Sequence, residues 1–282
     1  MMVLTLARYT LHEAARKRLL FAVVVLTAVF LVVYGVGSHY LADQVKVSAP
    51  RGAPSLTFIA ALMAVMAFYI VSFLVSLLAI FVSVGSVSSE VESGTILALA
   101  ARPIRRWHII AGKWLAQAAL IGVYLVTVGV GVLLLTKRST GYEPPNAPAA
   151  LALIFLEALV LLSLSMLGSS VLSTLTNGAL AFMLYGVAWV GGLVEAIGGI
   201  FGNQAMINAG IIASLLIPSD ALWKGASFHL QPVAMILAQN VSPAANPFTS
   251  ATPMAPPMLV YSVLYLVACL LLGMWVFSKK DL

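Results

Sequence analysis

Long apolar runs alternate with short polar intervals along the chain: 19–40, 56–87, 114–136, 147–175, 179–201 and 254–277 are apolar almost throughout. Each is longer than the roughly 20 residues that cross a hydrocarbon core about 30 Å thick. Backbone donors and acceptors in lipid must be bonded within their own segment or in a closed barrel, and runs of this length are economical only as helices. The pattern therefore predicts an all-α polytopic membrane protein with six transmembrane helices.

The intervals predict the rest. Before the first run, Val3, Leu4, Leu6, Leu11 and Ala14 interleave with Arg8, His12, Arg16 and Lys17, which predicts an amphipathic elbow helix over 1–18 lying along the membrane surface. The run that follows is too long for a cleaved signal peptide and is expected to remain as an anchor. The intervals "ADQVKVSAPRGAPS" and "KRSTGYEPPNAP" are too short and too rich in Pro, Gly and Ser to fold as domains. Between 203 and 253, "MINAGIIASLLIP" and "LQPVAMILAQNV" are apolar but short, and Pro218, Pro232, Pro243 and Pro247 interrupt them. Re-entrant or interfacial helices on the outer side are expected there. A seventh span is the competing reading, and it would put the C-terminus outside.

Composition agrees with the pattern. The chain is 62% hydrophobic and 9% charged, with a mean hydropathy of +1.06. Its net charge of +6 comes from bases that flank spans, where they set topology and meet anionic headgroups, so nucleic acid is not the expected partner. Ten of the fifteen bases lie before the first span, between the second and third, or after the last. That distribution predicts both termini in the cytoplasm, although Lys137 and Arg138 fall at an outer span end. The single cysteine, Cys269, excludes a disulfide framework or a multi-cysteine metal site.

The interval 88–113, "SSEVESGTILALAARPIRRWHIIAGK", holds six charged residues in a chain that otherwise avoids them. Ser89 and Glu92 have capping-box spacing, and Gly94 frees the backbone to turn. Thr95 to Ala101 is long enough for two apolar helical turns, and Arg102-Pro103 ends one helix and starts the next. An acidic cap, a glycine break and a basic return through Arg105 and Arg106 make a surface suited to another protein.

This interval resembles the segment joining the second and third spans of type-2 ABC transporter permeases, with Glu90, Glu92, Gly94, Thr95, Leu97, Leu99, Pro103, Arg106, Gly112 and Lys113 at matching positions. Ser93 departs from that pattern, which often has a second acid or a lysine there. The six-span layout, "IPSDALWKGA" and the terminal "FSKKDL" resemble the branch of the family that assists maturation of a copper enzyme, nitrous oxide reductase. The resemblance implies a dimeric exporter permease in the cell membrane. It implies separate ABC ATPase subunits that bind ATP and Mg and dock on a cytoplasmic coupling helix. Glu90, Glu92, Gly94, Thr95, Arg102, Pro103, Arg105 and Arg106 would be the coupling residues.

No catalytic chemistry competes with this reading. "AGKW" lacks the earlier glycine and the following Ser or Thr of a phosphate-binding loop, "HEAAR" lacks a second histidine, and Gly-x-Ser-x-Gly does not occur. The chain is expected to be no enzyme and to bind no cofactor itself. Asn240-Val-Ser242 matches a glycosylation acceptor by spelling only. Met63 and Met66 are read as core filler, and no metal site is expected.

Glu157 falls about 10 residues into the fourth run, or about 15 Å, near the bilayer midplane. It is either a translocation-path or proton-sensitive group, or a carboxyl hydrogen-bonded between helices. Glu195 is placed at headgroup level. Ser165, Ser169, Ser173 and Thr176 are read as helix-packing residues, and Gly198 and Gly202 as a small-xxx-small contact. Two functions of other classes stay open: a membrane scaffold or assembly factor without transport, and an ion-coupled transporter that needs no ATP.

Overall fold

A computed structural model describes residues 18–48, 56–89, 107–241 and 248–279. The elbow segment before Arg18 and the interval 90–106, which contains all eight candidate coupling residues, lie outside the described residues. Among those residues the structure is helical: α1 (Arg18–Ser48), α2 (Leu56–Val84), α3 (Trp107–Thr140), α4 (Ala147–Val171), α5 (Thr174–Phe201), α6 (Gln204–Leu216), α7 (Ser219–His229), α8 (Val233–Val241) and α9 (Pro256–Lys279). The helices α1 to α5 and α9 are long and apolar enough to cross a membrane.

Local chemistry sets the boundaries. Asn146 caps α4 by accepting from the Ala149 amide at 3.3 Å, with Pro148 in the first turn, where no amide is needed. Ser173 caps α5 through the Thr176 amide, and Asn203 caps α6 through the amides of Ala205 and Met206. Gly202 separates α5 from α6 in the left-handed conformation, with φ of 64°. It is therefore a helix stop rather than the packing residue expected from its spacing. The third span is longer at both ends than its apolar run, because Trp107–Lys113 and Lys137–Thr140 continue the helix beyond it.

The helices succeed one another in opposite directions. The end of α2, the start of α3, the end of α4 and the end of α9 meet in one cluster of Val87, Ile109, Ile110, Met166 and Phe277. The other end brings Ala60, Ala61 and Ala64 of α2 against Tyr142 and Met235. There the Tyr142 hydroxyl donates to the Leu230 carbonyl at 2.8 Å, and burial pushes its pKa up to about 12.

The pair α6–α7 bends by 101° at Pro218. Its first residue follows the far end of α5, and its last residue, His229, accepts from the Asn146 amide at the start of α4. The pair thus enters and leaves at the end opposite the hinge, which makes it a re-entrant hairpin and leaves six spans. Glycines allow its close approach, since a Cβ on Gly191, Gly198 or Gly210 would collide with the facing α5 or α6 residue.

The core lies along α2 and α4. In their most apolar stretches 61% and 56% of residues are buried, against 22% in α5 and in α9 and 11% in α1. Lipid is as apolar as a leucine side chain, so burial of apolar area contributes little between these helices, and packing and polar contacts decide where they sit.

Candidate functional site

Two polar regions interrupt this apolar body. The first is the stem of the charged interval, where α2 ends and α3 begins. Lys113 is buried and its ammonium donates to the Ser86 carbonyl. One helical turn on, Gln117 Nε2 donates to the Val82 carbonyl at 3.0 Å. The amides of Val87 and Ser88 both donate to Ser169 Oγ of α4 at 3.1 Å. Ser88 Oγ shares a 2.7 Å hydrogen bond with Thr174 Oγ1, and Asn177 Nδ2 donates to the carbonyls of Val84 at 3.0 Å and Ser165 at 2.9 Å. A Cβ on Gly168 would overlap the Asn177 amide, so the close fit of α5 on α4 depends on that glycine. The carbonyls that α2 leaves unpaired at its C-terminal end thus find partners on α3 and α5.

The second region lies halfway along α4. Glu157, 2% exposed, accepts from Ser72 Oγ at 2.6 Å and from Ser76 Oγ at 3.1 Å, two hydroxyls one turn apart on α2. Beside it is a chamber of about 20 Å³ walled by Tyr69, Phe73, Tyr185, Trp189, Ser219, Asp220 and Trp223. Asp220 sits in the first turn of α7, where the helix dipole favours a carboxylate, and the missing side chain of Gly192 makes room for it. Lys224, one turn on, reaches Asp220 Oδ2 at 2.7 Å and Glu195 Oε2 of α5 at 2.8 Å. The Trp189 indole N–H donates to the Tyr69 hydroxyl, joining two side chains of the chamber wall.

Glu157 is therefore a carboxyl hydrogen-bonded between helices and, at the same time, part of a cavity wall. Glu195, expected at headgroup level, is tied to the re-entrant hairpin by Lys224. Ser169 joins helices through its hydroxyl, whereas Ser165 contributes only its backbone carbonyl and Ser173 with Thr176 forms the cap of α5. Sequence reasoning missed Asp220 and Lys224 as a half-buried ion pair. The signal was present: an acid four residues before a lysine, directly after Pro218, in a short segment otherwise apolar. Ser72 and Ser76, four apart in an apolar run, were a comparable signal for the partner of Glu157.

A comparison with curated proteins finds no match. A family model described as "ABC-2 family transporter protein" matches residues 4–282. With that match covering nearly its whole length and six apolar helices beneath it, the chain belongs to the ABC-2 transporter family, the membrane components rather than the ATPases of ABC transporters.

Proposed function

We propose that this chain is the permease subunit of an ATP-driven exporter in the cell membrane, with both termini in the cytoplasm. Two copies form the translocation path, and separate ABC ATPase subunits, carrying ATP and Mg, engage residues 90–106. Glu90, Glu92, Gly94, Thr95, Arg102, Pro103, Arg105 and Arg106 are the coupling residues, and Glu157 belongs to the path. The observation that carries the reading is the stem. Because Gln117 and Lys113 of α3 are bonded to the last turn of α2 and to the segment just after it, and these in turn to α4 and α5, a force applied there moves four spans together. That is what a lever driven from outside the membrane requires. The apolar face that α1 leaves exposed supports a second copy, and "IPSDALWKGA" with "FSKKDL" supports the copper-enzyme maturation branch.

Reconstitution with the cognate ATPase tests the reading. Glu92→Lys and Arg106→Glu are expected to abolish docking and permease-stimulated ATP hydrolysis while the chain still inserts and folds. Docking and stimulation unchanged in both variants would overturn it.

A further inference from the structure

Two cavities share a wall. The larger, about 770 Å³, is an open apolar groove between α2, α5 and α6, with Phe182, Met183, Val187 and Val190 along α5. The smaller is the chamber of about 20 Å³ beside Glu157 and Asp220, and Phe73, Tyr185 and Trp189 line both. A space of that size holds one group as large as a water molecule. A primary ammonium fits it; a trimethylammonium does not.

The charge around the chamber is unbalanced. Its lining contains two carboxyls and no Lys, Arg or His. Lys224, behind Asp220, is shared with Glu195, whereas Glu157 is held by two neutral hydroxyls. A carboxylate so deeply buried is costly without a cation, and a cation brought in by a ligand would offset that cost. Aromatic side chains make up much of the remaining wall and attract a desolvated cation. Beyond them the groove offers a path for an alkyl chain directly from the bilayer.

We propose that chamber and groove together bind a long-chain primary ammonium amphiphile, its head beside Glu157 and its chain along α5. This rests on the reading of Glu157 as part of the path and gives that path a substrate class. Breaking the Trp189–Tyr69 hydrogen bond admits the head to the chamber.

The test uses dodecylamine carrying a terminal diazirine, with the corresponding alcohol as neutral control, on the full chain alone in lipid nanodiscs. Peptides labelled on irradiation are identified by mass spectrometry. The amine is expected to label the α5 groove at about tenfold lower concentration than the alcohol, the equivalent of one charge-assisted contact. Glu157→Gln should remove that difference. Gly186→Trp should remove labelling of the groove by either probe while leaving Glu157 intact, since Gly186 lines the groove and a Cβ there meets nothing within 4 Å. If Glu157→Gln does not fold, the blocked groove decides. Equal labelling by amine and alcohol overturns the proposal. So does labelling spread over every lipid-facing helix, or amine labelling that survives the groove block. No ATPase is present, so a failure of coupling leaves this result untouched, and a failure of labelling leaves the permease reading standing.

Discussion

The stem of the hinge and the chamber beside Glu157 are both polar regions in an apolar bundle, but they are built from different parts. At the stem a lysine, two side-chain amides and three hydroxyl residues are directed at backbone groups and at one another across four helices, while Ser86 Oγ, Gln117 Oε1 and Ser165 Oγ have no hydrogen-bond partner among the described residues. At the chamber, Glu157 and Asp220 on its wall and Glu195 behind them share one lysine and two serine hydroxyls, with space left beside the first two. A network anchored on backbone groups of several helices resists the displacement of any one of them. A network short of positive charge changes its energy when a cation arrives or when its walls move. Rigidity thus belongs to the stem and responsiveness to the middle of the bundle.

The sharpest way to break that contrast is at Lys224. Removing the shared cation with Lys224→Ala leaves the partly buried carboxylates of Asp220 and Glu195 facing each other without compensation, a change at the lower end of the about 3–5 kcal/mol that breaking a buried pair costs. Thermal unfolding in nanodiscs is expected to show the largest loss among the substitutions considered for either region. Neutralising all three partners together, as Lys224→Met with Asp220→Asn and Glu195→Gln, should recover most of it. If Lys224→Ala melted like the parent, the triad would be a solvated surface feature and the charge imbalance at the chamber would lose its meaning.

At the stem the expected effect is smaller and local. Asn177→Ala removes donors from the Val84 and Ser165 carbonyls, and Ser169→Ala strips the Val87 and Ser88 amides of their acceptor; each leaves buried backbone groups unpaired, at about 2 kcal/mol. Hydrogen exchange should report it as faster exchange across 84–89, with the amides of α4 around Glu157 unchanged. Faster exchange at both regions would mean that stem and chamber are one cooperative unit.

The six spans were legible because a 20-residue apolar run has few alternatives in lipid, and the re-entrant hairpin because Pro218 interrupts a segment too short to cross. Glu157 stood out for a related reason: a carboxyl inside such a run is rare enough to demand an explanation. Its partners were not legible, because Ser72 and Ser76 lie 85 and 81 residues away and apolar periodicity in α2 is too weak to tell which face meets α4. Lys224 was hidden in a different way. Counting bases to orient the chain treats every lysine as a membrane-surface charge, and that rule has no place for one folded back inside to hold two carboxylates. Gly202 shows the same limit on a smaller scale. Its spacing from Gly198 fits a packing motif, but only the backbone angle reveals a helix stop.

The finest distinction between the two regions is between serines. Ser169 accepts two amides that have no side-chain freedom, whereas Ser72 and Ser76 donate to the two oxygens of one carboxyl that can turn toward whichever donor remains. Ser76→Ala, which removes the longer bond at 3.1 Å, should therefore cost less than about 1 kcal/mol in nanodisc melting, and Ser72→Ala, which removes the 2.6 Å bond, somewhat more. Both should fall below Ser169→Ala, although all three replace the same hydroxyl at a buried site. If Ser76→Ala instead matched Ser169→Ala, Glu157 would be clamped as tightly as the stem. A carboxyl so fixed could not reorient toward an incoming ammonium, and the responsiveness assigned to the middle of the bundle would have to reside in Asp220 and Lys224 alone.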